Sequence, residues 1–139
     1  MKRIGCFLLV VLLLTVLAGG ISCQGKTPEY ATATPEGTVR LFLDAYSKLD
    51  VEKTTKCFVE EDREELRKAM AELLKKYKAV SFSEVKIETL FQSEDTAKVR
   101  LESVRAFIPR EGPQNPGRES VDEVDLVKQG DKWLIKTPR

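Results

Sequence analysis

In the stretch 80–103, VSFSEVKIETLFQSEDTAKVRLES, the hydrophobic pattern of the chain changes from a helical period to the period of a β-strand. Two sets of every second residue are predicted to face the core. The first set is Val85, Ile87, Thr89 and Phe91, and the second is Ala97, Val99, Leu101 and Ser103. Successive side chains of a strand point to opposite faces, so each set marks one face of a half-buried strand. The stretch therefore predicts two strands that share an apolar face.

The residues between the two sets fix the predicted register. If Ser93, Glu94 and Asp95 form a three-residue loop, Phe91 faces Ala97, Thr89 faces Val99 and Ile87 faces Leu101. The same register places Glu88 opposite Arg100 and Lys86 opposite Glu102 on the outer face, where opposite charges are favourable. A two-residue loop would misalign the apolar faces. We therefore expect an antiparallel hairpin with the longer loop.

A second hairpin is expected near the C-terminus. Residues 108–118 are rich in proline and glycine and have no periodicity, which is typical of a long loop. After it, Gln129-Gly130-Asp131-Lys132 turns the chain, and pairing Lys128 with Trp133 sets Asp125 opposite Lys136 outside. This pairing puts four apolar residues on one face: Val124, Leu126, Trp133 and Ile135.

Three amphipathic helices are predicted before the strands. The first is capped by Thr34-Pro35 and has an apolar face of Val39, Phe42, Leu43, Tyr46 and Leu49. A short helix follows over 51–58. The third is expected to start at Asp62 as N-cap, with Glu65 as its capping-box partner, and to run to Tyr77. Helices followed by strands indicate an α+β fold, with three N-terminal helices packed on one face of a four-stranded antiparallel sheet.

The N-terminal segment has the layout of a secretory signal. Met1-Lys2-Arg3 is basic, residues 4–17 are almost entirely apolar, and small residues lead to Cys23. A membrane-spanning helix needs about 20 apolar residues, more than this run provides. An uncleaved membrane anchor is the alternative.

Residues 1–23 resemble a bacterial lipoprotein signal peptide with its lipobox. Ser22 is the small residue expected before the cysteine, whereas Gly20 departs from the usual aliphatic residue. The resemblance implies that residues 1–22 are removed and that Cys23 is acylated with diacylglycerol, with 23–33 as a flexible tether. We therefore expect an extracytoplasmic protein, lipid-anchored to a bacterial cell membrane on its periplasmic side or at the cell surface.

Composition restricts the function. The formal net charge is only +1, which provides no broad electrostatic footprint for nucleic acid. The chain has no histidine, so a zinc site or a Ser-His triad is not expected, and we expect no metal and no cofactor. Cys57 falls on the apolar stripe of the short helix and is predicted to be a buried hydrophobe; a reactive thiol or an intermolecular bridge is the alternative.

Residues 34–139, predicted to be a single domain, resemble the nuclear transport factor 2-like (NTF2-like) superfamily, whose fold is a cystatin-like α+β cone. The likeness is carried by TPEGTVRLFLDAY at 34–46 and GDKWLI at 130–135. Within the superfamily the chain looks like small bacterial lipoproteins of unknown function. The resemblance implies a sheet curled around the long helix that leaves a pocket. Relatives use it for dehydration, isomerisation or hydrolysis, for small-molecule binding, or only as a core.

Candidate site residues come from the inward phase of the second strand. Continuing past Leu101, this phase gives Ser103, Arg105 and Phe107, and the Arg105 guanidinium could hold a carboxylate or phosphate. Tyr46 and Tyr77 lie on apolar helix faces and could orient a ligand. The alternatives are a bulge that turns Arg105 outward, Arg105 at the rim, and core tyrosines. The acids Glu88, Glu102 and Asp125 fall on the outer phase, so we expect no inward carboxylate and no catalytic residues.

The sequence thus favours a non-enzymatic, lipid-anchored module of the cell envelope that binds a small ligand or an envelope partner. One alternative is a small envelope enzyme of isomerase, dehydratase or hydrolase type that uses the pocket. Another is a structural accessory protein that forms a homodimer through its sheet.

Overall fold

The computed structural model describes residues 29–139, and the predicted signal peptide and Cys23 lie outside them. One 3-10 turn, Glu29–Thr32, precedes three helices: α1 (Pro35–Ser47), α2 (Val51–Lys56) and α3 (Glu60–Lys76). Four antiparallel strands follow in the sheet order β1-β2-β3-β4: β1 (Tyr77–Gln92), β2 (Thr96–Pro109), β3 (Arg118–Gln129) and β4 (Lys132–Lys136). The predicted α+β order is confirmed. No helix within 29–139 is long and apolar enough to cross a membrane.

The β1–β2 hairpin has the predicted loop of Ser93, Glu94 and Asp95. Ile87 pairs with Leu101, Thr89 with Val99, Lys86 with Glu102 and Glu88 with Arg100, all as expected. The predicted contact of Phe91 with Ala97 is wrong, because a register shift between Thr89 and Phe91 pairs Phe91 with Lys98. Phe91 is consequently 57% exposed, although the alternation predicted it to face inward.

A second irregularity lies in β1 between Ser83 and Lys86, where Glu84 has a φ of 52°. The one extra residue belongs to β1, so the alternation of β2 is not interrupted. Bulges of this kind bend a strand and increase its twist. The bulge also leaves Val85, predicted to face inward, 39% exposed.

The second hairpin and its outer edge connect the sheet to the helices. Lys128 pairs with Trp133 and Asp125 with Lys136, as predicted, and Gly130 supplies the φ of 62° that the tight turn requires. The segment 57–59 runs parallel to the edge of β4: Val59 N donates to Ile135 O at 3.0 Å and Ile135 N to Cys57 O at 2.8 Å. These bonds pair an edge that would otherwise be open.

The core lies between the helices and the inner face of the sheet. Its buried residues are Val39, Leu43, Cys57, Phe58, Ala97, Val99, Leu101, Leu126, Trp133 and Ile135. The Oγ1 hydroxyl of Thr38 on α1 donates to the Trp133 carbonyl at 2.8 Å, which fixes α1 against β4. Cys57 is 1% exposed, so its prediction as a buried hydrophobe is confirmed.

The N-cap predicted from the sequence is confirmed for α1 but not for α3. Thr34 Oγ1 accepts a hydrogen bond from Gly37 N at 3.0 Å, as a threonine N-cap should. The predicted N-cap Asp62 is wrong, because α3 begins at Glu60 after Val59 and has no side-chain cap. Asp62 instead lies in the first turn and accepts from Thr137 N at 2.8 Å. Hydrogen bonding to Thr137 lowers the pKa of the Asp62 carboxyl, so this bond links α3 to the residue after β4.

We predict that Asp62→Ala lowers the free energy of unfolding by about 1–2 kcal/mol near neutral pH, since it removes a hydrogen bond to a charged acceptor. The lowered pKa means that this contribution is present above the unfolded pKa of about 3.9 and is lost as the pH falls through the folded value. Urea unfolding at several pH values measures it.

The control for this prediction is Asp44→Ala on α1, whose exposed carboxylate pairs with the exposed Lys48. It should change the free energy of unfolding by less than about 0.5 kcal/mol. An Asp62→Ala effect no larger than that of the control would show that the Asp62–Thr137 bond does not stabilise the fold.

Candidate functional site

A cavity of about 520 Å³ lies at the inner face of the sheet where β2 ends and β3 begins. Its lining residues are Tyr77, Arg105, Phe107, Asn115, Pro116, Arg118, Glu119 and Ser120. Small-molecule sites in proteins usually enclose about 300–1,000 Å³. The cavity is therefore large enough for a small organic ligand.

Two arginines lie side by side in this cavity. Arg105 on β2 and Arg118 on β3 are directly paired across the strands, so their side chains share the inner face. None of the ion pairs within 4.0 Å among the side chains of residues 31–139 includes either of them. Like charges directly opposite each other on a sheet are unfavourable. The cavity thus concentrates positive charge.

An aromatic wall stands beside the arginines. Tyr77, at the junction of α3 and β1, packs against Phe107 with ring centroids 4.9 Å apart and planes inclined by 43°. The Arg105 guanidinium carbon lies 6.0 Å from the centre of the Phe107 ring, at the outer limit of a cation–π contact. The cavity therefore combines a cationic part with an apolar part.

Of the four predicted ligand-binding residues, the structure brings Arg105 and Tyr77 together in the cavity lining. Ser103 is the next inward position of β2 and is 6% exposed, paired with Ser120. The inward phase from Leu101 through Ser103 to Arg105 therefore exists, without the bulge that was the alternative.

Tyr46 lies behind the cavity rather than in its lining. Its ring stacks on Phe42 at 5.3 Å and approaches Phe82 at 6.2 Å. Burial raises the pKa of the Tyr46 hydroxyl, and the positive charge of Arg105 opposes this rise. Tyr46 is thus a packing residue whose phenol lies within the electrostatic reach of Arg105.

The prediction from sequence did not include three residues that line the cavity, Arg118, Ser120 and Asn115. Strand β3 begins at Arg118, six residues before the Val124 at which alternation was recognised. The sequence did indicate these positions. Counting back from Val124 in steps of two, which keeps to one face of a strand, gives Asp122, Ser120 and Arg118.

The expectation that no carboxylate faces inward is wrong. Asp122 pairs with the buried Leu101, so it lies on the inner phase of β3. Its Oδ2 accepts a hydrogen bond from the Ser120 hydroxyl at 2.6 Å, and Ser120 lines the cavity. A carboxylate that could accept a proton therefore lies next to the cavity.

Acidic side chains and Cys57 are further groups within residues 31–139 that could bind a metal ion or act as a nucleophile. No cluster of three or more cysteine, aspartate or glutamate side chains there could hold a metal ion. Burial raises the pKa of the Cys57 thiol to about 12, so this thiol is not ionised near neutral pH.

Comparison with solved structures identifies the fold. A candidate dehydratase of the NTF2-like family from Streptomyces avermitilis matches with a TM-score of 0.58 and 16% identity, over 78% of this chain and 93% of that one. The chain has an NTF2-like fold. An NTF2-like protein with a cystatin-like fold from Novosphingobium aromaticivorans matches with a TM-score of 0.52 and 15% identity, over 70% of this chain and 72% of that one.

A further match is a candidate aromatic ring hydroxylase of Novosphingobium aromaticivorans. Its TM-score is 0.65 with 10% identity, over 72% of this chain and 80% of that one. No protein-family model and no curated protein sequence matches the chain. The TM-scores show a common fold, and because the identities are this low they show the fold alone. The chemistry has to be argued from the residues of the cavity.

Proposed function

We propose that the protein is a lipid-anchored module of the bacterial cell envelope that binds a small molecule in the cavity beside Arg105. The cavity itself carries this proposal. It has the volume of a small-molecule site, an aromatic wall formed by Tyr77 and Phe107, and guanidinium groups without carboxylate partners in the described part of the chain. Such a mixture of apolar surface and a few polar groups is typical of ligand sites.

The proposed location depends on the N-terminal sequence. Cys23 follows a basic and apolar leader, and attachment by two or more acyl chains is stable, whereas one chain binds a membrane only marginally. The tether would keep the domain close to the bilayer, where its ligand or an envelope partner would be met.

A second candidate function is a small envelope enzyme of isomerase, dehydratase or hydrolase type. Asp122 favours it, because a carboxylate within reach of the substrate can act as a general base. Asp122 is inward, half-buried and bonded to Ser120, but it is not among the residues that line the cavity. Ligand binding without turnover therefore fits the geometry better.

A third candidate function, a homodimeric accessory protein, is favoured by apolar side chains on the sheet. Val121 on the outer face of β3 is 66% exposed and Phe91 near the hairpin tip is 57% exposed. A dimer that buries this face would be detected by sedimentation of the purified protein.

We predict that Ser120→Phe blocks the cavity and weakens ligand binding at least about 10-fold, because a new ring on this lining residue would fill part of the cavity. The control is Val121→Phe, the next residue, whose side chain points to the outer face. NMR titration with a library of small aromatic acids and alcohols measures both. Ligands whose affinity is unaffected by Ser120→Phe would place the site elsewhere.

We predict that Asp122→Asn leaves ligand affinity within about 3-fold of the wild type, because the amide keeps the shape and the oxygen that accepts from Ser120. The same titration measures this. If ligands of the cavity are instead converted to products, and Asp122→Asn lowers that rate by about 100-fold or more, the enzyme is the correct function.

We predict that protein extracted from bacterial membranes carries acyl chains on Cys23 and lacks residues 1–22, and that Cys23→Ser moves the protein to the soluble fraction. Intact-mass spectrometry measures both the cleavage and the lipid. Cys57→Ala is the matched control and should keep the lipid. An unmodified Cys23 in the membrane fraction would contradict the proposed anchor.

A further inference from the structure

The adjacent guanidiniums of the cavity indicate what kind of ligand it takes, and this inference rests on the proposed function. We propose that the ligand is a phosphate monoester of an aromatic or otherwise apolar compound, with its phosphate held between Arg105 and Arg118. Its apolar part would lie against the wall formed by Tyr77 and Phe107.

The inner and outer cations of β2 differ in their partners. On the outer face, Lys98 lies 3.4 Å from Asp125 and 3.6 Å from Glu123, and Arg100 lies 3.9 Å from Glu123. On the inner face, Arg105 faces another arginine, and no described carboxylate lies within 4.0 Å of either. Lys98 and Arg100 on the outer face of β2 are therefore paired with carboxylates of β3, whereas the inner pair is left for a partner outside the described chain.

Two nearby acids do not neutralise the pair. Glu119 borders the cavity, but it alternates with Arg118 and pairs with Val104, so its side chain belongs to the outer face. Asp122 lies on the inner face further along β3, but its Oδ2 binds Ser120 and it makes no ion pair with either arginine. The local charge of the pair therefore stays positive.

The charge and shape of the pair favour a phosphate over a single carboxylate. A phosphate monoester carries about −1.5 to −2 charges at pH 7, which matches two guanidiniums, whereas a carboxylate carries about −1. Residues paired across antiparallel strands have Cα atoms about 4.5–5.5 Å apart, so both side chains can reach one phosphate. Each planar guanidinium can donate two parallel hydrogen bonds to phosphate oxygens.

The remaining lining fits the rest of such a molecule. Ser120 and Asn115 can donate further hydrogen bonds at the cationic end. Tyr77 and Phe107 offer ring surfaces at the other end, and the Phe107 ring centre lies 6.0 Å from the Arg105 guanidinium carbon. A ligand with one charged and one apolar end would therefore satisfy both parts of the cavity.

Phenyl phosphate, phenol and benzoate test this proposal by calorimetric titration of the full-length protein in detergent. We expect phenyl phosphate to bind at least about 10-fold more tightly than phenol or benzoate, because it alone gives two arginines a dianionic partner. Arg118→Gln should weaken phenyl phosphate about 10- to 100-fold and leave phenol within about 2-fold. Arg118→Lys, which keeps the charge but loses the planar fork, should have an intermediate effect.

The control variant is Arg100→Gln, on the outer face of the same strand, which should leave the affinity for phenyl phosphate within about 2-fold. Thermal unfolding of each variant shows that it is folded before it is titrated. Similar affinities for phenol and phenyl phosphate, unchanged in Arg118→Gln, would overturn the phosphate proposal and leave the cavity as a site for neutral ligands. If none of the three compounds binds, both the phosphate proposal and the proposed function fail.

A phosphate monoester could also be the headgroup of a lipid. Vesicles of phosphatidylcholine with and without phosphatidic acid, whose phosphate is a monoester, distinguish the two sources in competition with phenyl phosphate. Competition that depends on phosphatidic acid supports the proposal with a lipid as the ligand, and absence of competition supports it with a soluble ester.

Discussion

The uninterrupted alternation of β2 is the constraint on which both the core and the cavity depend. From Thr96 to Arg105 its pairing with β3 contains no bulge, so every second side chain reaches the same inner face. At one end this face carries Ala97, Val99 and Leu101, which are buried in the core, and at the other it carries Ser103 and Arg105. A one-residue slip would move all of these side chains to the opposite face. The charge of the cavity is therefore set by the same register that buries the core.

The neighbouring elements adapt to this strand. The irregularities lie in β1, where three register shifts interrupt its pairing with β2, whereas the pairing of β2 with β3 is regular. Bulges of this kind bend a strand. Three hydrogen-bonded connections hold the helices at the β4 edge: Thr38 to Trp133, the 57–59 segment to Ile135, and Asp62 to Thr137. The cavity lies at the other end of the inner face, where the loop before β3 supplies Asn115 and Pro116 to its lining. The helix attachments and the cavity thus lie at separate ends of one sheet.

The sequence was sufficient to predict strand pairing wherever burial of one face requires apolar residues at every second position. The pairs Ile87–Leu101 and Lys128–Trp133 followed from alternation and turn chemistry, and the inward position of Arg105 followed from the same phase. The bulges of β1 could not be predicted from the sequence. Val85 and Phe91 are apolar and fall on the same alternation as the buried residues, although both are exposed. Asp62 was mistaken for an N-cap because its partner, Thr137, is distant in sequence. Arg118 and Asp122 were overlooked because the proline- and glycine-rich stretch before them hid the start of β3.

The most direct test is a crystal structure of the protein grown with phenyl phosphate. We predict that the phosphate lies within hydrogen-bonding distance of both the Arg105 and the Arg118 guanidinium groups, with the ring against Tyr77 and Phe107. A phosphate bound elsewhere, or arginine side chains on opposite faces of the sheet, would contradict the claim that the register of β2 and β3 builds an anion site at the inner end of the cone.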